Sequence, residues 1–198
     1  MRIVCISVGK IQKISVSGDG PGRTVKSAIN KHPVSQLTAP VSKFIGALGV
    51  EGDEQADLTV HGGADKAVYV YPAEHYPFWE NVLREQSVES GPLVHGFFGE
   101  NLTVEGFSEQ EVFVGDVWSI GEVELMVEAL REPCFKFNSK IGLAQAGSIM
   151  VRTARSGWYL SVLQPGVLKA GDQITVQPGE REISIFDQNA QLKLKRKL

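Results

Sequence analysis

The chain has 198 residues, of which 42% are hydrophobic and 22% are charged, and its formal net charge is −3. This size allows one sizeable domain with its own core, and the weak negative charge gives no general attraction to nucleic acid or anionic membranes. No apolar run approaches the roughly 20 residues that span a bilayer, and the amino terminus reads as a strand rather than a secretory signal. Cys5 and Cys134 are too few for a disulfide framework, which favours a reducing, cytoplasmic location.

Most of the predicted elements are short strands separated by glycine-containing turns, and the chain has 21 glycines. The clearest helix is expected over residues 72–86, where large apolar residues recur at helical spacing after a proline. Residues 141–154 predict a short helix and a loop. A series of short strands with Gly-Asp turns is typical of a small barrel or a curled sheet. The predicted strands cover residues 1–11, 25–29, 41–50, the two sides of a turn within 112–121, 123–127, 158–163 and 173–176.

Two loops before the helix contain polar residues of interest. Residues 51–57 include four acidic residues, but their spacing is not that of a calcium loop, and a solvated acidic turn is the preferred interpretation. Residues 61–67 read His-Gly-Gly-Ala-Asp-Lys-Ala, and adjacent glycines in such a loop allow backbone amides to approach an anion closely. A Gly-Gly pair is also an ordinary turn.

The segment at residues 131–137 contains the second cysteine and reads as a strand. Side chains alternate across a strand, so Phe135 and Phe137 are expected to point into the core. Cys134 and Lys136 are then expected to share the opposite face.

The chemistry of Cys134 is open on this segment alone. Lys136 and Arg131 would favour the thiolate, whereas Glu132 on the same predicted face would oppose it. A small buried hydrophobic residue is the usual role of an unpaired cysteine, and the same role is expected for Cys5.

Six short motifs occur in order along the chain: His-Gly-Gly-Ala-Asp-Lys-Ala at 61–67, Phe-Gly-Glu-Asn-Leu-Thr-Val-Glu-Gly at 98–106, Gly-Asp at 115–116, Arg-Glu-Pro-Cys-Phe-Lys at 131–136, Gly-Trp-Tyr at 157–159 and Ala-Gly-Asp at 170–172. Together they resemble the MOSC domain family, named for the carboxyl-terminal part of molybdenum-cofactor sulfurase. The resemblance is closest to the YiiM-like stand-alone members and covers the chain up to about residue 176.

The resemblance implies a β-rich fold with a few helices, a closed or curled β-barrel formed by a single domain over residues 1–176. Residues 177–198 form a carboxyl-terminal tail. YiiM-like members continue into a small helical extension, of which residues 181–194 could supply one helix. If that extension docks an electron donor, this chain is expected to supply only one helix of the docking surface. The basic end of the tail is by default a solvated terminus.

The resemblance also implies that the protein binds the molybdenum cofactor and that Cys134 is the metal ligand and the catalytic residue. A soft sulfur ligand suits this metal, and nearby cations would help the thiol ionise. The expected cofactor-binding residues are His61, Gly62, Gly63, Lys66, Asn101, Arg131 and Lys136, with Lys43 or Arg152 as further candidates for the cofactor phosphate.

Three polar residues in these motifs are not assigned to the cofactor alone. A structural role for His61 is as plausible as a cofactor contact. Asp65 and Glu100 are expected to fix turns.

By resemblance, the expected activity is that of a cytoplasmic oxidoreductase that reduces N-hydroxylated small molecules, such as N-hydroxylated purine bases, with electrons from a separate reductase. No membrane and no specific nucleic acid is expected as a partner. One alternative is a sulfur-carrier or cofactor-handling module in which Cys134 holds a persulfide without turnover of its own. Another is a binding barrel in which Cys134 is inert.

Overall fold

The structure, a computed structural model, describes residues 1–18, 20–58 and 62–198. Within these ranges it contains short 3₁₀ turns, α-helices and β-strands. The helices are α1 (Tyr76–Glu85), α2 (Phe135–Ile141), α3 (Ala146–Arg152) and α4 (Ile185–Arg196). The strands are β1 (Arg2–Gly9), β2 (Gln12–Gly18), β3 (Gly20–Ser27), β4 (Lys31–Gln36), β5 (Lys43–Gly46), β6 (Gly49–Val50), β7 (Val68–Pro72), β8 (Leu102–Glu105), β9 (Val117–Ile120), β10 (Val123–Leu130), β11 (Trp158–Gln164), β12 (Gly166–Leu168) and β13 (Thr175–Gln177).

Eight strands form the main sheet in the order β13-β9-β10-β11-β7-β8-β1-β4. Neighbours are antiparallel except for β7 and β8, which are parallel. Residues 171–174 return to the start of β1, where the amide of Ile3 donates to the carbonyl of Asp172 and the amide of Gly171 donates to the carbonyl of Ile3. The sheet is therefore curled. The β-rich prediction is confirmed, but β4 and β13 remain the edges of the sheet in the described part of the chain, so the strand order does not form a closed ring.

Two apolar clusters lie on different sides of the strands. The larger fills the inside of the curled sheet and includes Trp118 and Trp158. The second packs α1 and α2 against β7 through Trp79, Phe98 and Phe137, all with no exposed surface. Burial of one such phenylalanine stabilises the fold by roughly 1.5–3 kcal/mol. This second cluster holds the elements that surround the candidate site.

The predicted helices agree with the structure. The helix expected over 72–86 is a 3₁₀ turn followed by α1, and the helix expected within 181–194 is α4. The strand expected over 41–50 is instead a hairpin of β5 and β6, because the chain reverses between Gly46 and Gly49. Among the described residues, no helix combines the length and the apolar character needed to traverse a bilayer.

Candidate functional site

An open cleft lies between the start of α2, strands β7 and β11, and the loops that follow β3 and β6. It has about 670 Å³ of empty space, including its mouth. The start of α2 together with β7 and β11 forms one wall, the thiol wall. The loops that follow β3 and β6 form the opposite wall, the ion-pair wall. The lining residues are Ser27, Ala28, Ile29, Lys31, Asp53, Glu54, Gln55, Ala56, Lys66, Tyr69, Phe98, Gly99, Asn101, Arg131, Cys134, Lys136 and Tyr159.

The strand predicted over 131–137 is wrong beyond Cys134. Cys134 is the extended N-cap residue of α2 (φ −117°, ψ 176°), and the helix begins at Phe135. Residues two apart on a helix differ by roughly 200° in direction, so the two phenylalanines cannot both face the core. Phe137 is fully buried, as expected, but Phe135 is 41% exposed.

Cys134 and Lys136 nevertheless line the same cleft, because the N-cap and the first turn of α2 both face it. The thiol is half-buried. Glu132 does not share this face, contrary to the prediction: its side chain is 60% exposed and pairs with Arg196 of α4. The carboxylate expected to oppose the thiolate therefore lies outside the cleft lining.

Arg131 is buried and lies in an aromatic environment. Its guanidinium carbon is 4.5 Å from the ring centroid of Phe137 and 5.5 Å from that of Tyr69. Nη1 also lies 3.7 Å from the sulfur of Met150. Aromatic faces stabilise a cation in such a position, so a positive charge is held at the base of the thiol wall.

Tyr159 connects this charge to the thiol. It pairs with Tyr69 across β11 and β7. Burial raises the pKa of Tyr159, the Arg131 guanidinium opposes that increase, and the Cys134 sulfur adds to it. The Nζ atom of Lys66 lies 6.0 Å from the centre of the Tyr159 ring. The thiol, two cations and the phenol therefore share one electrostatic environment.

The ion-pair wall is built around Lys31 and Asp53. Lys31 Nζ lies 2.5 Å from Asp53 Oδ2, and the two side chains are only 8% and 6% exposed. Asp53 also accepts hydrogen bonds from the amide of Gly9 at 2.7 Å and from Asn101 Nδ2 at 2.8 Å. Burial lowers the pKa of Lys31, and the Asp53 carboxylate acts against that decrease. Asp53 is thus not part of a solvated acidic turn.

Asn101, predicted as a cofactor-binding residue, lines the cleft, but protein groups occupy its amide. Its Oδ1 accepts from the amide of Tyr69 at 3.1 Å. Its Nδ2 donates to Asp53 and, at 3.3 Å, to the carbonyl of Ser7. The residue joins β1, β7 and the ion-pair wall.

The predicted glycine loop contributes less to the lining than expected. His61 lies outside the described residues. Gly62 and Gly63 are not among the lining residues, and the amide of Gly63 donates to Gln55 Oε1 at 2.8 Å. A Cβ atom at Gly62 would meet the same Gln55 oxygen at 2.3 Å. Gln55 therefore lies between the glycines and the cleft, which only Lys66 reaches among the predicted residues of the loop that the structure describes.

The prediction that Glu100 fixes a turn is confirmed. Its carboxylate is fully buried and accepts from the amides of Gly96 and Phe98, from Thr103 Oγ1 and from the hydroxyl of Tyr76. Burial raises the pKa of Glu100, while the hydrogen bonds from Tyr76, Gly96 and Thr103 oppose the increase.

Sequence reasoning missed Lys31, Asp53, Tyr69 and Tyr159. The two tyrosines could have been found as aromatic residues of neighbouring strands that share the face of the sheet packed against the helices. Lys31 and Asp53 have no local signal, because their pairing joins residues 22 apart in the chain.

Several predicted or conceivable ligands are not brought to the cleft. Lys43 and Arg152 do not line it. In the part of the chain that the structure describes, no group of three or more His, Cys, Asp or Glu side chains is arranged to hold a metal ion. Cys134 is the one cysteine of the lining.

The chain is similar to known proteins in sequence and, for one solved structure, also in fold. The chain is 38% identical over 184 residues to the uncharacterised protein YflK of Bacillus subtilis, a match that covers 92% of this chain and 76% of YflK. It is 37% identical over 172 residues to a protein named Reductase from Gibberella moniliformis, covering 86% of this chain but only 28% of that protein. The crystal structure of YiiM from Geobacillus stearothermophilus superposes with a TM-score of 0.73 at 31% identity, covering 100% of this chain and 86% of YiiM.

Residues 57–175 match the MOSC domain as a family, and this region includes the thiol wall with Cys134, Arg131 and Tyr159. The chain belongs to the MOSC domain family.

Proposed function

We propose that the chain binds the molybdenum cofactor in the Cys134 cleft and reduces N-hydroxylated small molecules there, with electrons from a separate reductase in the cytoplasm. The observation that carries the proposal is the convergence of one half-buried thiol with Lys66, Arg131 and Lys136 in a single cleft of a MOSC chain. The reductase named among its relatives supports a reductive reaction.

The residues of the cleft suit this cofactor. A thiolate is a soft ligand of the kind that molybdenum accepts, and one such ligand from the protein is enough when the pterin supplies the others. The cofactor carries a phosphate, which needs cationic donors, and Lys66 and Lys136 can supply them. Tyr159 offers an aromatic surface next to the thiol for a flat ring system.

When bound, the cofactor would supply the two-electron redox chemistry. Each turnover breaks one N–O bond, consumes two electrons and two protons, and releases an amine and water. In this scheme Cys134 holds the metal and Arg131 stabilises the thiolate from below. Lys66 and Lys136 bind anionic groups at the mouth, and the aromatic wall orients a planar substrate.

The test is the molybdenum and pterin content of protein purified from a host that makes the cofactor. We expect about one molybdenum per chain for the parent protein and less than about a tenth of that for Cys134→Ser, since the ligand is lost. Cys5→Ala is the matched control, because Cys5 is fully buried in β1, away from the cleft lining. It should retain the parent content.

The reductase activity is tested by incubating cofactor-loaded protein with an artificial electron donor and an N-hydroxylated purine base, and measuring reduction of the base. Metal-free parent protein from a host with verified cofactor supply would overturn the binding proposal. Loaded protein that leaves N-hydroxylated substrates unchanged would overturn only the reductase assignment.

A sulfur-carrier role is the second candidate, and the half-buried position of Cys134 in an open cleft favours it. A persulfide carrier needs a thiolate that a donor enzyme can reach. Mass spectrometry after incubation with a cysteine desulfurase should then show added sulfur on Cys134 and none on Cys5. An unmodified Cys134 together with N-hydroxyl reductase activity would exclude this role.

A further inference from the structure

Helix α4 contacts both ends of the segment that leads into Cys134. At one end, Gln188 Oε1 accepts a hydrogen bond of 2.7 Å from the amide of Leu130, the last residue of β10. At the other end, Nη1 and Nη2 of Arg196 both donate to the carbonyl of Pro133, each at 3.2 Å. Cys134 follows Pro133 directly, so the two contacts bracket the residues that determine where the thiol lies.

The segment makes few backbone hydrogen bonds. Residues 131–134 form neither helix nor strand. The amide of Arg131 donates to the carbonyl of Gly157 at 3.1 Å, but Pro133 has no amide hydrogen to donate. Hydrogen bonds from side chains outside the segment are therefore important for fixing its backbone.

Helix α4 is itself firmly held, so it can act as a support. Ser184 and Asp187 form a reciprocal capping box at its start. Asn189 Nδ2 donates to the carbonyl of Val151 in α3 at 2.6 Å, and Leu192 is buried. The helix packs against both α3 and β10.

The Arg196 contact is directional. A guanidinium presents several N–H groups in a fixed plane, so two of them can converge on one carbonyl, which the single ammonium of lysine does less well. The same group lies 3.4 Å from Glu132 Oε2, which holds Glu132 on the outer side of the segment, away from the thiol.

We propose that α4 is a brace for the thiol wall and that Gln188 and Arg196 are positioning residues for Cys134. Only the role of the thiol as a metal ligand rests on the proposed function. The position of the thiol depends on the protein chain alone and does not require the cofactor. It gives α4 a role within its own chain, at the segment that leads into Cys134.

The test is the rate at which iodoacetamide alkylates Cys134 in cofactor-free protein, followed over a range of pH by mass spectrometry. We expect the Gln188→Ala/Arg196→Ala variant to raise the high-pH plateau rate about fivefold or more, because a lost hydrogen bond changes a local equilibrium by about that factor. Cys5 in the same molecule reports general unfolding, since it is fully buried in β1. Its rate should stay within about twofold of the parent value.

Two further variants keep the test specific. Lys195→Ala removes the same charge from the neighbouring exposed position and should behave like the parent. Arg196→Lys keeps the charge but weakens the double contact, and should raise the plateau rate about twofold. This milder variant decides the question if the double variant does not fold.

Plateau rates equal to the parent value in both Arg196 variants would overturn the brace, as would a parallel increase at Cys5. A chain that never binds molybdenum but shows the expected alkylation pattern would overturn the proposed function and leave the brace intact. If both hold, the double variant should also lose bound molybdenum faster than Lys195→Ala.

Discussion

The two walls of the cleft differ in whether their buried charges are paired. On the ion-pair wall, the buried ammonium of Lys31 is matched by the buried carboxylate of Asp53, and Asn101 joins that pair to β1. On the thiol wall, Arg131 lies among aromatic rings, and the described structure gives Lys136 no carboxylate partner. One wall is internally neutral and structural, whereas the other retains positive charge beside a half-buried thiol.

The two cysteines differ in the same way. Cys5 is fully buried in β1, and burial raises its pKa to about 11. Cys134 has the same functional group at the open start of α2. The comparison teaches that position in the fold, rather than residue type, separates a packing thiol from one available for chemistry.

The largest expected effect is the difference in reactivity between the two thiols. In cofactor-free protein near neutral pH, we expect iodoacetamide to modify Cys134 about a thousandfold faster than Cys5, because Cys5 lacks both thiolate and access. Peptide mass spectrometry over time measures both rates in one sample. Equal rates in native protein would remove the distinction between the walls.

The ion-pair wall should be far more sensitive than the thiol wall to loss of a lysine. Lys31→Met leaves the Asp53 carboxylate buried without its partner, which should lower the free energy of unfolding by about 3–5 kcal/mol. Lys136→Met, at a half-buried lysine, should change it by less than about 0.5 kcal/mol. Urea unfolding monitored by tryptophan fluorescence measures both.

The double variant Lys31→Met/Asp53→Asn sharpens this result. It removes both charges, so it should recover part of the stability that Lys31→Met loses. A double variant less stable than Lys31→Met would show that the pair is not what holds this wall.

The buried thiol of Cys5 should make stability fall at high pH. Its pKa is raised from 9.0 to about 11 in the folded state, so between these values the unfolded chain has lost a proton that the folded chain retains. Its contribution is complete below pH 9 and should decrease by about 2–3 kcal/mol as the pH approaches 11. The measurement is the difference between parent and Cys5→Ala in unfolding free energy at the two pH values, and a difference that does not change with pH would contradict the prediction.

The smallest expected effect concerns the cation beside Cys134. Lys136→Met should lower the rate of Cys134 alkylation at neutral pH by less than about fivefold, since a partly exposed neighbouring cation contributes less than about 1 kcal/mol. Lys140→Met is the matched control, because Lys140 lies in the same helix but does not line the cleft. Equal decreases in the two variants would mean that only net charge matters.

Much of the fold could be predicted from local patterns. The helix α1 follows from apolar spacing after a proline, and the β-rich class follows from short strands between glycine turns. The prediction of 131–137 as one strand was wrong, because an alternating pattern of seven residues also fits an extended segment that ends at a helix N-cap. Only the packing of Phe137 against Trp79 and Phe98 decides between the two.

The residues named from the sequence lie mainly on the thiol wall of the cleft, whereas the Lys31–Asp53 pair of the ion-pair wall was not named. The motif around Cys134 is contiguous in the chain, so Arg131, Cys134 and Lys136 could be named together, and all three line the cleft. Lys31 and Asp53 meet only because β1, β4 and the loop after β6 are folded together.

By itself, the sequence determined the family, the β-rich class and the residue that carries the thiol, because these are recorded in composition, in local periodicity and in the order of short motifs. Only the tertiary structure decided that Glu132 faces α4 and that the side-chain amide of Asn101 is hydrogen-bonded within the protein. It also decided that Lys31 and Asp53 form the wall of the cleft opposite Cys134. The physical reason is that burial, charge pairing and the direction of a side chain depend on neighbours distant in the chain. No local pattern of residues encodes those neighbours.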